Sequence, residues 1–196
     1  LQSFGNIMIP ATSGELASGL VGEGRMAEPE DILAFIEQDV LGKLPLKGKK
    51  VLITAGPTYE AIDPVRFIGN HSSGKMGFEI AKAASNKGAE VILITGPTHQ
   101  KIEHSLVKVT AVTSAQQMYD EAQKYFPKVD VAILSAAVAD YKPKEVATQK
   151  IKKASSTLNL ELEKTQDILA SLGKIKKQQY LVGFALENQR MLLRFL

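Results

Sequence analysis

Cysteine and tryptophan are both missing from the 196 residues. Without cysteine there can be no disulfide, no thiolate metal site and no thiol nucleophile, so any chemistry rests on oxygen, nitrogen or bound ligands. Aromatic residues make up only 6%, and none interleaves with the lysine clusters at 47–50, 150–153 and 174–177. The stacking platform of a nucleic-acid binder is therefore lacking, and no nucleic-acid partner is expected. Charge of one sign is also scarce. With a net charge of +3, lysine runs of this kind read first as solvated edges, and small anions suit them better than polymers. No apolar run approaches the roughly 20 residues that span a bilayer, and no basic stretch followed by an apolar one marks a secretory signal. No membrane partner is expected, and a cytoplasmic location is the default.

What is there falls into two parts. Residues 1–29 hold five glycines and two prolines without clean periodicity and read as loop. "EPEDILAFIEQDVLG" then spaces Ile32, Leu33, Phe35, Ile36 and Val40 as a helix, with Gly42 to stop it. "KLPLKGKK" is a polar linker, and a domain boundary is expected near 43–47. The sequence opens on Leu1 rather than Met and closes on "MLLRFL", so both ends read as cut.

Beyond the linker, strand and helix patterns alternate. "VLITAG" (51–56) is a buried strand. "KMGFEIAKAASNKG" is a helix with Met76, Ile80, Ala81 and Ala84 on one face, Ser72 or Ser73 available as N-cap, and Gly88 at its end. "EVILITG" (90–96) closes a βαβ unit, whose crossover implies parallel strands. "VKVTAV" (107–112), a helix opened by Ser114 with Gln117 in capping-box position, and "VDVAILSAAV" (129–138) repeat the pattern. "TLNLELE" (157–163) alternates with period 2, "TQDILASLG" is a short helix and "YLVGFAL" a last strand. The fold class expected is α/β, an open, doubly wound (Rossmann-like), mostly parallel sheet, cut short at its C-terminus. Ligands of such sheets sit past the carboxyl ends of the strands.

Those ends carry the candidate site. "LITAGPT" (52–58) and "LITGPT" (93–98) turn through the same Gly-Pro-Thr, either as two similar tight turns or to let a ligand approach the backbone at Gly56. "GNHSSGKMG" (69–77) has the P-loop spacing, but Met76 stands where a magnesium-holding hydroxyl belongs, and "GPTYEAIDPVRFI" separates it from its strand. What survives is a helix start at Ser72, Ser73 and Gly74, where free N–H groups and the helix dipole favour an anion, or an ordinary capped helix with nothing bound. "SAAVADYKP" (135–143) leaves its strand through small residues, Ala136 and Ala137, that let a flat base lie on the backbone. It then presents Asp140 for a cation or a ribose hydroxyl, or as a plain turn residue. In "KIKK", Lys150 and Lys152 share one side if the segment is extended, with Ile151 and Lys153 pointing elsewhere; one lysine could reach a triphosphate. G-x-G-x-x-G is absent, which counts against an NAD(P)-dependent oxidoreductase on the same fold.

The joint occurrence, in order, of "ITAGPTYEAIDPVRFIGNHSSGKMG", "SAAVADYKP", "KIKK" and "LVGFALE" resembles the phosphopantothenoylcysteine synthetase family over about residues 49–187. "GELASGLVGEGRMAEPEDI" resembles the end of the phosphopantothenoylcysteine decarboxylase domain that precedes the synthetase in bifunctional bacterial coenzyme A enzymes. The domains expected are thus a decarboxylase tail and linker (1–45) and a partial synthetase (46–196). The resemblance implies a ligase that joins 4′-phosphopantothenate to cysteine through an acyl-cytidylate, with CTP as substrate and Mg2+. FMN would belong to the decarboxylase part alone. It also implies a homodimer of synthetase domains and a higher oligomer in the whole protein.

Carried over position by position, Asn70 matches an asparagine that contacts the acyl-nucleotide. Ser72, Ser73 and Gly74 match the triphosphate-binding helix start. Ala136, Ala137 and Asp140 match the segment that reads the base and helps hold nucleotide and metal. Lys150 matches a lysine required for activation, and Phe184 an aromatic beside the nucleotide. The chain departs from the pattern at Ser18, where the decarboxylase family usually has cysteine, and after Glu187, where "NQRMLLRFL" replaces the family's continuation of "GFAxET". The alternative is a truncated nucleotide-binding and assembly module without turnover.

Overall fold

Two stretches of chain pack separately, Leu1–Lys47 and Gly48–Leu196. The computed structural model describes residues 2–4, 7–15, 21–152, 157–187 and 190–195; Ser18 and Lys153 lie outside them. In the first unit β1 (Thr12–Glu15) pairs antiparallel with β2 (Val21–Arg25), with a register shift between Thr12 and Ser13. This corrects the expectation of loop throughout 1–29: the ladder is made by main-chain groups, which need no apolar alternation to pair. Helix α1 (Pro29–Gly42) forms where its spacing predicts, with Pro29 in the first turn and Glu30 and Asp31 at the positive end of its dipole.

The second unit runs β3 (Lys50–Ala55), β4 (Tyr59–Ala61), β5 (Phe67–Gly69), α2 (Lys75–Asn86), β6 (Glu90–Thr95), β7 (Val107–Ala111), α3 (Ala115–Tyr125), β8 (Val131–Leu134), β9 (Tyr141–Pro143), β10 (Leu162–Lys164), α4 (Ile168–Ile175), β11 (Tyr180–Glu187) and β12 (Arg190–Phe195). Its main sheet has the order β12-β11-β8-β3-β6-β7, five parallel strands with β12 antiparallel at one edge. The α/β doubly wound expectation is met. From β3 the chain builds outward through β6 and β7, then returns to β8 and β11 on the other side. That reversal puts a crevice at the carboxyl ends of β3 and β8.

Alternation along β3 divides the two faces. Leu52 joins Ile94, Met118, Phe126, Ala132, Leu172 and Leu181 in one buried cluster that α3 and α4 help to cover. Ala55, of opposite parity, faces α2, where a Cβ on Gly77 would come within 2.5 Å of its own Cβ. Helix α2 therefore lies almost on the strand, and its buried side is Gly77, Phe78, Ala81, Ala84 and Ser85. Met76 is exposed at 41%, which corrects its assignment to the core face: the packed stripe is set by the need for Gly77 against β3, one residue later. The capping box of α3 is present, with Ser114 Oγ accepting from the Gln117 N–H.

Three other expectations change. Tyr59–Ala61 and Phe67–Gly69 form a hairpin within what reads as plain connection, its Tyr59 and Phe67 rings stacked 4.0 Å apart. The period-2 run 157–163 yields only Leu162–Lys164, paired with Tyr141–Pro143 and outside the main sheet. Strand β8 stops at Leu134 rather than 138; past it Ser135 turns its hydroxyl onto the Thr54 carbonyl at 2.6 Å, and pairing goes on only as an isolated parallel bridge between Pro57 and Ala137. Among the described residues no helix is long and apolar enough to cross a membrane.

Candidate functional site

The end of β3 is a tight knot of backbone. Gly56 has φ 72°, a left-handed conformation that a side chain disfavours, and a Cβ there would sit 3.2 Å from the Gly96 carbonyl oxygen. Both Gly-Pro-Thr turns thus meet, as the Gly96 N–H donating to the Ala55 carbonyl at 3.0 Å also requires. Gly74 lies against the same knot, with φ 75°, and a Cβ on it would be 3.3 Å from Gly56 N and Cα. Thr98 Oγ1 closes the group by donating to the Ser73 carbonyl at 2.7 Å.

This geometry corrects the N-cap. The cap of α2 is Gly74, without a side-chain capping bond, because the approach to Gly56 demands a residue with no Cβ in left-handed backbone. Ser72 and Ser73 precede it and turn back locally: their hydroxyls accept from the Gly74 N–H at 3.2 Å and the Lys75 N–H at 3.4 Å. The following N–H groups of the first turn have no partner within the helix and carry the positive end of its dipole.

From the knot the site continues along the exit of β8. The Ala137 N–H donates to the Gly56 carbonyl at 2.9 Å and the Thr58 N–H to the Ala137 carbonyl at 3.2 Å. Asn70 Nδ2 then donates to the Val138 carbonyl at 3.0 Å, which ties the end of the β4–β5 hairpin to the same exit. That hairpin is fastened on its other side by Glu60, a buried residue of β4, whose Oε1 accepts from the N–H of Ala115, the first residue of α3, at 2.7 Å.

An open cleft of about 630 Å³ lies past the carboxyl ends of β3, β8 and β11, lined among others by Thr54, Ala136, Val138, Asp140, Thr165 and Phe184. Ala136, Asp140 and Phe184 thus converge on one space. Asn70, Gly56, Ala137 and the α2 start are not among its lining residues; Asn70 is bonded to Val138, which does line it, and the Ala137 N–H to Gly56. Lys150 does not line the cleft. It is exposed, as is Lys152, with Ile151 between them partly buried. The Ile151 N–H donates to Asp63 Oδ2 at 3.1 Å, and Arg66 Nη2 donates to the Ile151 carbonyl at 3.1 Å. The Arg66 guanidinium holds the Asp63 carboxyl well below the usual carboxylate range, against its burial and helped by the N–H groups of Val65, Ile151 and Arg66. Neither Asp63 nor Arg66 is flagged by the sequence reading; "DP" within a non-periodic stretch signals a turn, and nothing local tells which distant segment that turn will hold.

No group of three or more potential metal ligands occurs among the described residues; the carboxylates that line the cleft are Asp140 and Asp167. That suits an ion that arrives with phosphates and keeps most of its other ligands as water.

Residues 46–194 match the sequence profile of the DNA/pantothenate metabolism flavoprotein C-terminal domain. The chain belongs to that family. It is 47% identical over 191 residues to the coenzyme A biosynthesis bifunctional protein CoaBC of Bacillus subtilis, covering 96% of this chain and 47% of that protein. It is 49% identical over 193 residues to a protein of an unknown prokaryotic organism named cysteine/cysteine sulfinic acid decarboxylase, covering 96% and 54%. The chain thus spans about half the length of the curated relatives it matches. Among solved structures, the crystal structure of the C-terminal domain of a CoaBC aligns with a TM-score of 0.66 at 49% identity, covering 76% of this chain and 69% of that one. This member of the flavoprotein C-terminal domain family therefore shares both sequence and fold with the C-terminal domain of a CoaBC.

Proposed function

We propose that residues 46–196 act as a phosphopantothenate–cysteine ligase in coenzyme A biosynthesis, with 1–45 the tail of a decarboxylase domain and its linker. The observation that carries the reading is the convergence of Ala136, Asp140 and Phe184 on one cleft at the sheet's reversal point, with the α2 start packed against Gly56 at the end of β3. An anion-favouring helix start beside a cleft floored by small residues is what a nucleoside triphosphate requires. The 47% identical relative named for coenzyme A biosynthesis supports the same reading.

In the first step a carboxylate oxygen of 4′-phosphopantothenate attacks the α-phosphorus of CTP, and pyrophosphate leaves with the bonding electrons. In the second, the cysteine amine attacks the acyl carbon, CMP leaves and the nitrogen loses a proton, giving the amide. Little proton transfer is needed at first; the demand is for alignment and charge neutralisation. Ser72, Ser73, Gly74 and the α2 N–H groups hold the triphosphate, and Gly56 leaves room beside it. Ala136 and Ala137 present backbone to the base, with Phe184 at its edge. Asn70 orients the acyl-nucleotide, and Lys150 neutralises charge during activation. Asp140 would hold Mg2+ together with the phosphates, where the ion would offset the charge of the leaving pyrophosphate.

Flavin is another matter. The described part of the first unit is a two-stranded hairpin and a helix with no buried residue, which does not fit an isoalloxazine. No step is routed through FMN. A homodimer of the ligase unit, a higher oligomer for a whole bifunctional protein and a cytoplasmic setting accompany the reading.

The test is to incubate the intact protein carrying this sequence with phosphopantothenate, cysteine and either CTP or ATP, and to follow pyrophosphate and amide. CTP-dependent release of both is expected. CTP binding without pyrophosphate would favour a nucleotide-binding module. Nucleotide-independent CO2 release from cysteine, the activity that the 49% identical relative is named for, would replace the ligase reading.

A further inference from the structure

The Asp63 side chain is buried completely and takes no part in the reaction proposed above. Oδ1 accepts from the N–H groups of Val65 and Arg66, both at 2.9 Å. Oδ2 accepts from Arg66 Nε at 3.0 Å, from Arg66 Nη2, and from the Ile151 N–H at 3.1 Å. The first four of these bonds close a local turn, and that turn would be complete without the fifth. The fifth crosses 88 positions of sequence. Arg66 reinforces it by donating to the Ile151 carbonyl, so the main-chain donor and acceptor of a single loop residue are both gripped by one ion pair. Four residues earlier, the Ala147 N–H donates to the Ile62 carbonyl at 3.0 Å. Only Thr148, Gln149 and Lys150 lie between the two pins.

We infer that Asp63, acting through Ile151, is a positioning residue that sets where the Lys150 ammonium can reach, and so the rate of carboxylate activation; this rests on the ligase reading. A lysine stem has four rotors and defines its tip poorly, so the only precision available is at its backbone. In a segment without helix or strand, that precision comes from the pins. The buried carboxylate also has a reason to prefer this arrangement, since an ion taken out of water is tolerated only when its oxygens are fully hydrogen-bonded.

D63N keeps size and shape but places an NH2 group against donors on one side or the other of the carboxylate position. In the intact protein it should lower the single-turnover rate of pyrophosphate formation about 10- to 100-fold, the scale of a misplacement near 1 Å, with CTP affinity within about threefold of wild type. The deciding comparison is made in a K150Q background, where D63N should add nothing to the loss already caused, because its effect passes through Lys150. Amide exchange at Ile151 should quicken about tenfold or more in D63N. A D63N loss that multiplies that of K150Q, or unaltered exchange at Ile151, overturns the inference while leaving the ligase reading standing. Absence of pyrophosphate from wild type overturns both. If D63N does not fold, D63E, which displaces the carboxylate by one methylene, carries the same comparison.

Discussion

Asn70 and Val138, 68 positions apart, are joined by a hydrogen bond from the asparagine amide to the main-chain carbonyl at 3.0 Å. The bond uses the donor end of the side chain, so Asn70→Asp is not a neutral exchange. It sets a carboxylate against a carbonyl oxygen and beside the space assigned to a polyanion. Amide formation should fall about 100-fold, the loss that a misplacement near 1 Å brings. A discontinuous assay of phosphopantothenoylcysteine checks it, and wild-type turnover in this variant would remove Asn70 from the chemistry.

Gly77→Ala tests the seating of α2. Its new methyl would meet Ala55 Cβ at 2.5 Å and Ser135 Oγ at 2.8 Å, and an alanine Cβ cannot rotate away. The helix must shift, at a cost of about 1–3 kcal/mol, taking its N-terminus with it. Urea midpoint and CTP affinity should both drop; a variant with normal affinity would separate the helix start from the nucleotide.

Leu172 is fully buried in the cluster between sheet and helices. Leu172→Ala should cost about 2–5 kcal/mol, read as a lower denaturant midpoint. A loss well below that range would mean the cluster closes over the gap.

Two carboxylates among the described residues contribute to the acid side of stability. Asp130 is held below the usual carboxylate range by the Lys50 N–H and by Lys49, and Asp63 is lowered chiefly by Arg66. A depressed carboxylate contributes stability that is present above its unfolded value and lost as pH falls toward the folded one. Stability should therefore decline from about pH 4 downward. Asp130→Asn should flatten the upper part of that decline in urea titrations at pH 2–5, and an unchanged slope would rule Asp130 out as a contributor.

The parts of this structure visible in the sequence are those that depend on neighbours in the chain. The Ser114–Gln117 capping box, the strands of "VLITAG" and "EVILITG" and the amphipathic start at Lys75 each follow from local spacing, and with them comes the reversal point of the sheet. Asp140 and Ala136 were legible as residues that follow a strand, and the α2 start as a helix start. Less visible was anything decided by close approach. Gly74 displaces Ser72 and Ser73 as cap because Gly56 lies against it, and Met76 is turned outward because Gly77 must face Ala55. The Asp63–Ile151 contact was beyond reach, since a turn aspartate and a lysine-rich segment carry no mark of each other.

Glu60 gives the hairpin its last constraint. To swing the Asn70 arm away from the sheet, the chain would have to strip this buried carboxylate from the N-terminus of α3 or drag that helix along. Losing the partner of a buried hydrogen-bonding group costs on the order of 1–3 kcal/mol, before any gain from opening. That side of the cleft is thus a fixed wall rather than a lid. Its asparagine stands in place before substrate arrives, and the energy that a closing arm would take from binding is not spent.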